Sequence, residues 1–201
     1  MSWEKVADDE AIGRTANALK EKGFEVAIAK DGNEAKRMAM ELIPEGAEVL
    51  RVTSATLDEI GLVQELDSDR YRSLRKEINA IDDQQLRLEK RRASISPEYG
   101  IGSVQALTED GRAVMASASG SQLPVYVYGA RNVIWIVGAQ KIVKNLDEAF
   151  KRIYEHALPL ESERIRNAGM GQASSVNKIL IIDKERPNRI KVIIVKEKLG
   201  F

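Results

Sequence analysis

The chain has 201 residues with 31 basic and 31 acidic side chains, so no general attraction to nucleic acid or a membrane surface is expected. Cysteine is absent, which excludes disulfides, thiolate zinc sites, a Cys-ligated iron–sulfur cluster and a cysteine nucleophile. His156 is the only histidine, so histidine-rich metal sites are excluded and a Ser-His-Asp triad has one candidate base. A hydrophobic share of 43% supports a real core, and the length suits one α/β domain over 1–201. The opening MSWEKVADDE has no apolar signal core, and no apolar run approaches the ~18 residues of a spanning helix. A cytoplasmic location is the expectation.

In chain order, residues 3–22 read as a helix with Ile12, Ala16 and Leu19 on one face and Gly23 after it. A short strand, FEVAIA, covers 24–29. Asp31-Gly32 turns the chain, and Asn33 is placed to cap a helix whose Ala35, Met38, Ala39, Leu42 and Ile43 form one stripe. Pro44 stops it, and 48–53 (EVLRVT) is the second strand. Strand, helix and strand at this spacing predict a parallel sheet.

A helical insertion of about 57–93 follows. It holds a helix with Leu57, Ile60 and Leu66, then a longer one over about 70–92 with Tyr71, Leu74, Ile78, Ile81 and Leu88 at narrow-seam spacing. That helix reads either as an ordinary surface helix or as the seam of a homo-oligomer. Residues 94–102 read as a loop. Segments 103–108 and 112–117 flank Glu109-Asp110-Gly111 as a hairpin. The nearly all-apolar 132–137 (NVIWIV) suits a central strand covered on both faces. Asn145 and Glu148 form a capping box for a helix ending before Pro159. Residues 176–183 and 189–195, joined at Pro187-Asn188, read as a C-terminal β-hairpin.

Five segments stand in a recognisable order: Ser54–Leu62 (SATLDEIGL), Ser103–Gly111 (SVQALTEDG), Ser119-Gly120-Ser121, Val137–Val143 (VGAQKIV) and Pro159–Arg164 (PLESER). Together, over about residues 10–165, they resemble the LUD family, the lactate-utilisation domain once filed as DUF162. The resemblance implies a NagB/RpiA/CoA transferase-like fold, a mostly parallel central sheet with helices on both faces. It also implies a role in oxidising L-lactate or related carboxylates. Many members of that family carry a cysteine-rich tail. Gly169-Met170-Gly171-Gln172-Ala173-Ser174 stands there in this chain, which argues against electron transfer.

Sites in open α/β sheets form outside the carboxyl ends of the strands. Ser54 and Thr56 follow a strand and open a helix, where hydroxyls and free N–H groups favour a carboxylate or phosphate. Thr56-x-x-Glu59 is equally a capping box. Gly120 and Ser121 form a small-residue loop that permits close backbone approach to a ligand. Lys141, just past the central strand, reads either as the neutraliser of an anion or as a surface lysine. Glu109 reads as a turn carboxylate, or, by the resemblance, as a nucleophile forming an acyl-CoA thioester. Glu161 and Arg164 pair at i, i+3, and His156, in a last helical turn, reads as structural. No GxGxxG, Walker A or HExxH motif occurs. The expected ligand is a small anionic metabolite (carboxylate, phosphate or CoA ester), with CoA itself a candidate cofactor. Three function classes stay open: a carboxylate-binding LUD protein, a CoA-transferase or sugar-phosphate isomerase, and a non-catalytic accessory subunit.

Overall fold

The computed structural model describes residues 3–169 and 171–201. Six strands form an all-parallel sheet: β1 (Glu25–Ala29), β2 (Glu48–Arg51), β3 (Arg72–Ser73), β4 (Tyr99–Gly102), β7 (Asn132–Gly138) and β10 (Ile190–Val195). Their spatial order is β1-β10-β7-β4-β2-β3. The parallel sheet expected from the first strand–helix–strand unit is present. Its two strands are not neighbours, however, because β10, β7 and β4 lie between them.

Strand β7 is central and buried on both faces, as its composition predicts. Val133, Trp135 and Val137 point into one apolar cluster; Ile134 and Ile136 point into the other. On the second face, α2 (Gly32–Glu41), α3 (Ala55–Glu59) and α4 (Leu62–Leu66) bury Ala35, Ala39, Leu57, Leu62 and Leu66. On the first, α1 (Asp9–Glu21) and a second sheet bury Ile12, Leu19, Leu107 and Met115. That second sheet comprises β5 (Ala106–Thr108), β6 (Ala113–Ser117), β8 (Ile142–Val143) and β9 (Lys178–Ile182), in the order β8-β5-β6-β9. β5 and β6 are the hairpin expected around Glu109-Asp110-Gly111. Gly111 has φ +82°, and a Cβ there would stand 2.6 Å from the carbonyl carbon of Ala18, so only glycine fits both the turn and its contact with α1. The outer face of this sheet is covered by Ala149 of α7 (Leu146–Arg152) and by Ile153 just after it.

Four expectations are corrected. The single helix over 70–92 is instead β3, α5 (Leu74–Asn79) and α6 (Gln84–Ala93). Ser73 caps α5 by accepting from Lys76 N–H, and Asp83 caps α6 by accepting from Leu86 N–H, so a new helix begins where the seam was read through. Leu74 and Ile78 are buried, whereas α6 buries none of its residues. Second, the loop over 94–102 contains β4. Its two glycines argue against a strand, but they are what the packing needs: a Cβ on Gly100 would lie 2.6 Å from Val125, and one on Gly102 1.9 Å from Tyr126 Oη. Third, the two C-terminal strands form but do not pair with each other; β9 joins β6 in the small sheet and β10 lies between β1 and β7. Fourth, the helix capped by Asn145 does not end before Pro159. A π-helical turn, Ile153–Ala157, leads into α8 (Leu158–Asn167), so Pro159 falls in the first turn of α8, where its missing N–H costs least.

The other caps obey local rules. Asp31, rather than Asn33, caps α2 by accepting from Glu34 N–H, and the Glu34 carboxylate accepts from Lys30 N–H. Asn145 and Glu148 form the expected box at α7. No helix among the described residues is long and apolar enough to cross a membrane.

Candidate functional site

A cavity of about 300 Å3 opens at the carboxyl ends of β2, β4 and β7. Residues 50–56 after β2, Ser103 to Gln105 after β4, and Lys141 after β7 supply its sheet side. The opposite side is closed by the 115–122 loop, by two π-helical turns (Val125–Gly129 and Ile153–Ala157), and by α5, α6 and α8. Each π turn pushes side chains inward, Val125 and Tyr126 from one, Ile153 and Ala157 from the other. Wide turns of this kind carry a cost in hydrogen-bond geometry and are often kept at functional sites.

Lys141 lies at the bottom of the cavity and is only 2% exposed. It ends a 3-10 turn, Ala139–Lys141, whose approach requires Gly138: a Cβ there would stand 2.2 Å from the Gln140 amide oxygen. The Lys141 amine donates to Thr56 Oγ1 at 2.9 Å and to Ser103 Oγ at 3.2 Å. Thr56 in turn donates to the Leu199 carbonyl at 3.2 Å. Gln140 Nε2 donates to the Leu199 and Gly200 carbonyls, and the Glu59 carboxylate accepts from Gly200 N–H. This stitching seats Phe201 in the cavity wall.

No carboxylate forms an ion pair with Lys141 among the described residues. Burial, and then repulsion from Arg152, push its pKa down to about 7, against the attraction of Glu59. Arg152 is fully buried on α7. Its Nη1 donates to the Gln105 carbonyl at 2.6 Å, while Nε and Nη2 have no partner among the described residues. Burial pushes the Arg152 guanidinium down to about 10. Lys141 and Arg152 are thus buried within electrostatic reach of each other, neither with an ion-pair partner among the described residues.

The rest of the lining is basic too. Arg51, Arg75, Arg91 and Arg164 reach the cavity, against a single acidic side chain, Glu161. Arg51 is matched by Asp67 and Arg164 by Glu161. Burial raises Asp67, but hydrogen bonds from Arg51 and Ser73 outweigh it and hold the carboxyl below its ordinary value. Arg75 and Arg91 have no ion-pair partner among the described residues; they donate to Thr53 Oγ1 and Ser121 Oγ instead. Burial, with repulsion from Arg91 and Arg51, pushes the Arg75 guanidinium below its ordinary value. In a chain of zero net charge, this is a concentrated positive wall.

Among the residues singled out from sequence, Ser54, Thr56, Ser121 and Lys141 line this one cavity. Thr56 is not the head of a capping box, because α3 begins at Ala55 and its cap, Ser54, makes no side-chain capping bond. Lys141 is not a surface lysine. Gly120 stands beside the cavity: its φ of +83° shapes the loop, and a Cβ would meet Lys178 at 2.6 Å. Glu109 lies elsewhere, paired at 2.9 Å with Arg14 of α1. His156 sits half-buried in the second π turn with its pKa lowered by burial, then by Arg152. Ser103, Arg75, Arg91 and Arg152 were not singled out for the site. Ser103 was within reach, since it opens one of the matched segments. The arginines show no motif; only folding gathers them. No group of three His, Asp or Glu side chains placed for a metal occurs among the described residues.

The fold and cavity together define an α/β protein with a basic pocket at its strand ends. The LUD domain family model matches residues 12–195, and the chain belongs to that family. Its fold is similar to the crystal structure of a DUF162 family protein from Deinococcus radiodurans, with a TM-score of 0.59 at 10% identity. That match covers 95% of this chain and 99% of the other. No curated protein matches the chain.

Proposed function

We propose that this LUD-domain chain binds a small anionic metabolite, a carboxylate of the lactate and pyruvate kind, in the cavity at the ends of β2, β4 and β7. The observation that carries this reading is the unmatched positive charge of Arg75 and Arg91 on one concave site, with the buried amine of Lys141 as a further N–H donor at its base. A bound carboxylate supplies the missing counter-charge and accepts charge-assisted hydrogen bonds in a partly dry setting. Ser54 and Ser103 offer hydroxyls for the remaining polar atoms of such a ligand. The LUD family's link to carboxylate utilisation points the same way. Thioester chemistry of the CoA-transferase kind needs a free carboxylate in the pocket. Glu161, the acidic side chain that lines it, is held by Arg164 at 2.7 Å, and Glu109 lies outside.

A thermal-shift panel of L-lactate, pyruvate, longer 2-hydroxy acids, CoA, acetyl-CoA and sugar phosphates tests the reading. A ligand present at about 100 times its dissociation constant adds about 2.7 kcal/mol of stability. The expected result is a shift with a hydroxy or keto acid that Arg75→Met and Arg91→Met each weaken. A shift confined to CoA species, or one indifferent to both arginines, sinks the proposal.

A further inference from the structure

Within the cavity the basic groups differ in kind. Arginine is a permanent cation, whereas a lysine amine is a nucleophile once it loses its proton. Lys141 is set up for that state by its contacts. Both of its neighbours within hydrogen-bond distance are hydroxyls, Thr56 and Ser103, and neither neutralises an ammonium. Thr56 Oγ1 gives its own proton to the Leu199 carbonyl, so it faces Lys141 as an acceptor. A neutral amine has two N–H donors and one lone pair. With the two N–H groups taken by Thr56 and Ser103, the lone pair is left for the cavity side. Behind it stands Arg152, fully buried and without an ion-pair partner, a fixed positive charge that disfavours a second one nearby.

Resting on the anion-site reading above, we infer that Lys141 is a nucleophile that forms a reversible Schiff base with the carbonyl carbon of a 2-oxo acid. The acid's carboxylate is held by the arginines of the same cavity. The Lys141 Nζ lone pair forms the N–C bond as the carbonyl π bond opens, and the amine proton passes to the oxygen to give a carbinolamine. Loss of that hydroxyl with one further proton, as water, leaves a C=N bond between Lys141 and the substrate. The balance is amine plus ketone giving imine plus water, and no oxidant or reductant is consumed. Protonated, the imine withdraws electrons from its neighbouring carbons, the usual reason for a lysine to be kept neutral and dry. Thr56 and Ser103 act as positioning residues, orienting the amine without reacting.

The test uses the full chain with pyruvate and sodium cyanoborohydride, which reduces an imine to a stable secondary amine. The expected result is one carboxyethyl group added per chain by intact mass, mapped by peptide analysis to Lys141. Lys141→Arg, which keeps a cation but cannot form the imine, is expected to show no adduct. Mapping on the wild-type protein reads the outcome even if that variant folds poorly. A parallel melt with pyruvate separates the two claims. A thermal shift with no adduct at Lys141 overturns the Schiff base and leaves the anion site standing. Neither shift nor adduct overturns both for 2-oxo acids. Labelling confined to exposed lysines also overturns the inference.

Discussion

Replacing Lys141 by methionine keeps the volume of the side chain and removes its titration. In the folded chain the amine is held near pKa 7, whereas its ordinary value is 10.5. The unfolded chain therefore binds a proton that the folded chain has released, over the window from about 7 to about 10.5. Stability therefore rises with pH through that window and lies on a flat minimum below about pH 7, where the amine is protonated in both states and the ammonium is buried at full cost. Integrated between pH 6 and 9, the wild-type protein gains about 3 kcal/mol relative to Lys141→Met. For a chain of this size that is a melting-temperature difference of about 6–12 °C. Loss of the two hydroxyl contacts costs the variant about 1 kcal/mol each, but that cost does not vary with pH. His156 titrates in both proteins and cancels to first order. The assay is urea or thermal unfolding of both proteins in buffers from pH 6 to 9. Parallel stability curves would mean that Lys141 stays charged and would refute the reasoning.

Other outcomes follow from the same geometry. Arg152→Met is expected to raise the midpoint of the wild-type minus Lys141→Met difference curve, since repulsion from Arg152 is one cause of the Lys141 shift; an unchanged midpoint would assign that shift to burial alone. Gly102→Ala is expected to destabilise by about 2 kcal/mol or more, because its Cβ would stand 1.9 Å from Tyr126 Oη and 2.5 Å from Val52; a wild-type melt would contradict the packing of β4 against the π turn. Glu109→Gln removes only a partly exposed pair with Arg14 and is expected to leave both the melt and ligand binding near those of the wild type. Polar substitution of Leu74 and Ile78 is expected to unfold the chain rather than dissociate an oligomer, as both are buried, and circular dichroism with size-exclusion chromatography distinguishes the two.

Much of the local structure is written in short-range chemistry. The apolar run of β7, the Asn145–Glu148 box and the Asp110-Gly111 turn each depend on a few neighbouring residues, and each formed as expected. Asp83, followed by a helix start, was a legible signal for the break between α5 and α6, and the apolar seam across it masked that signal. β4 was not legible, because Gly100 and Gly102 lower the intrinsic strand preference. The reason they are needed, close approach by Val125 and Tyr126, exists only after residues some 25 apart have packed together.

The same division holds at the site. Position past a strand end pointed to Ser54, Thr56 and Lys141 from the sequence alone, since parallel strands place their following residues on one side of the sheet. The sequence also set what chemistry is absent, having no cysteine and one histidine. The state of Lys141 belongs to the tertiary structure. Burial, the hydroxyls of Thr56 and Ser103, and the Arg152 charge come from segments up to 85 residues away in the chain. Proton affinity depends on the through-space electrostatic surroundings, which sequence separation does not report. Arg75 and Arg91 became a pair at one cavity for the same reason, whereas Glu109, promising beside its turn, was folded onto Arg14 and away from it.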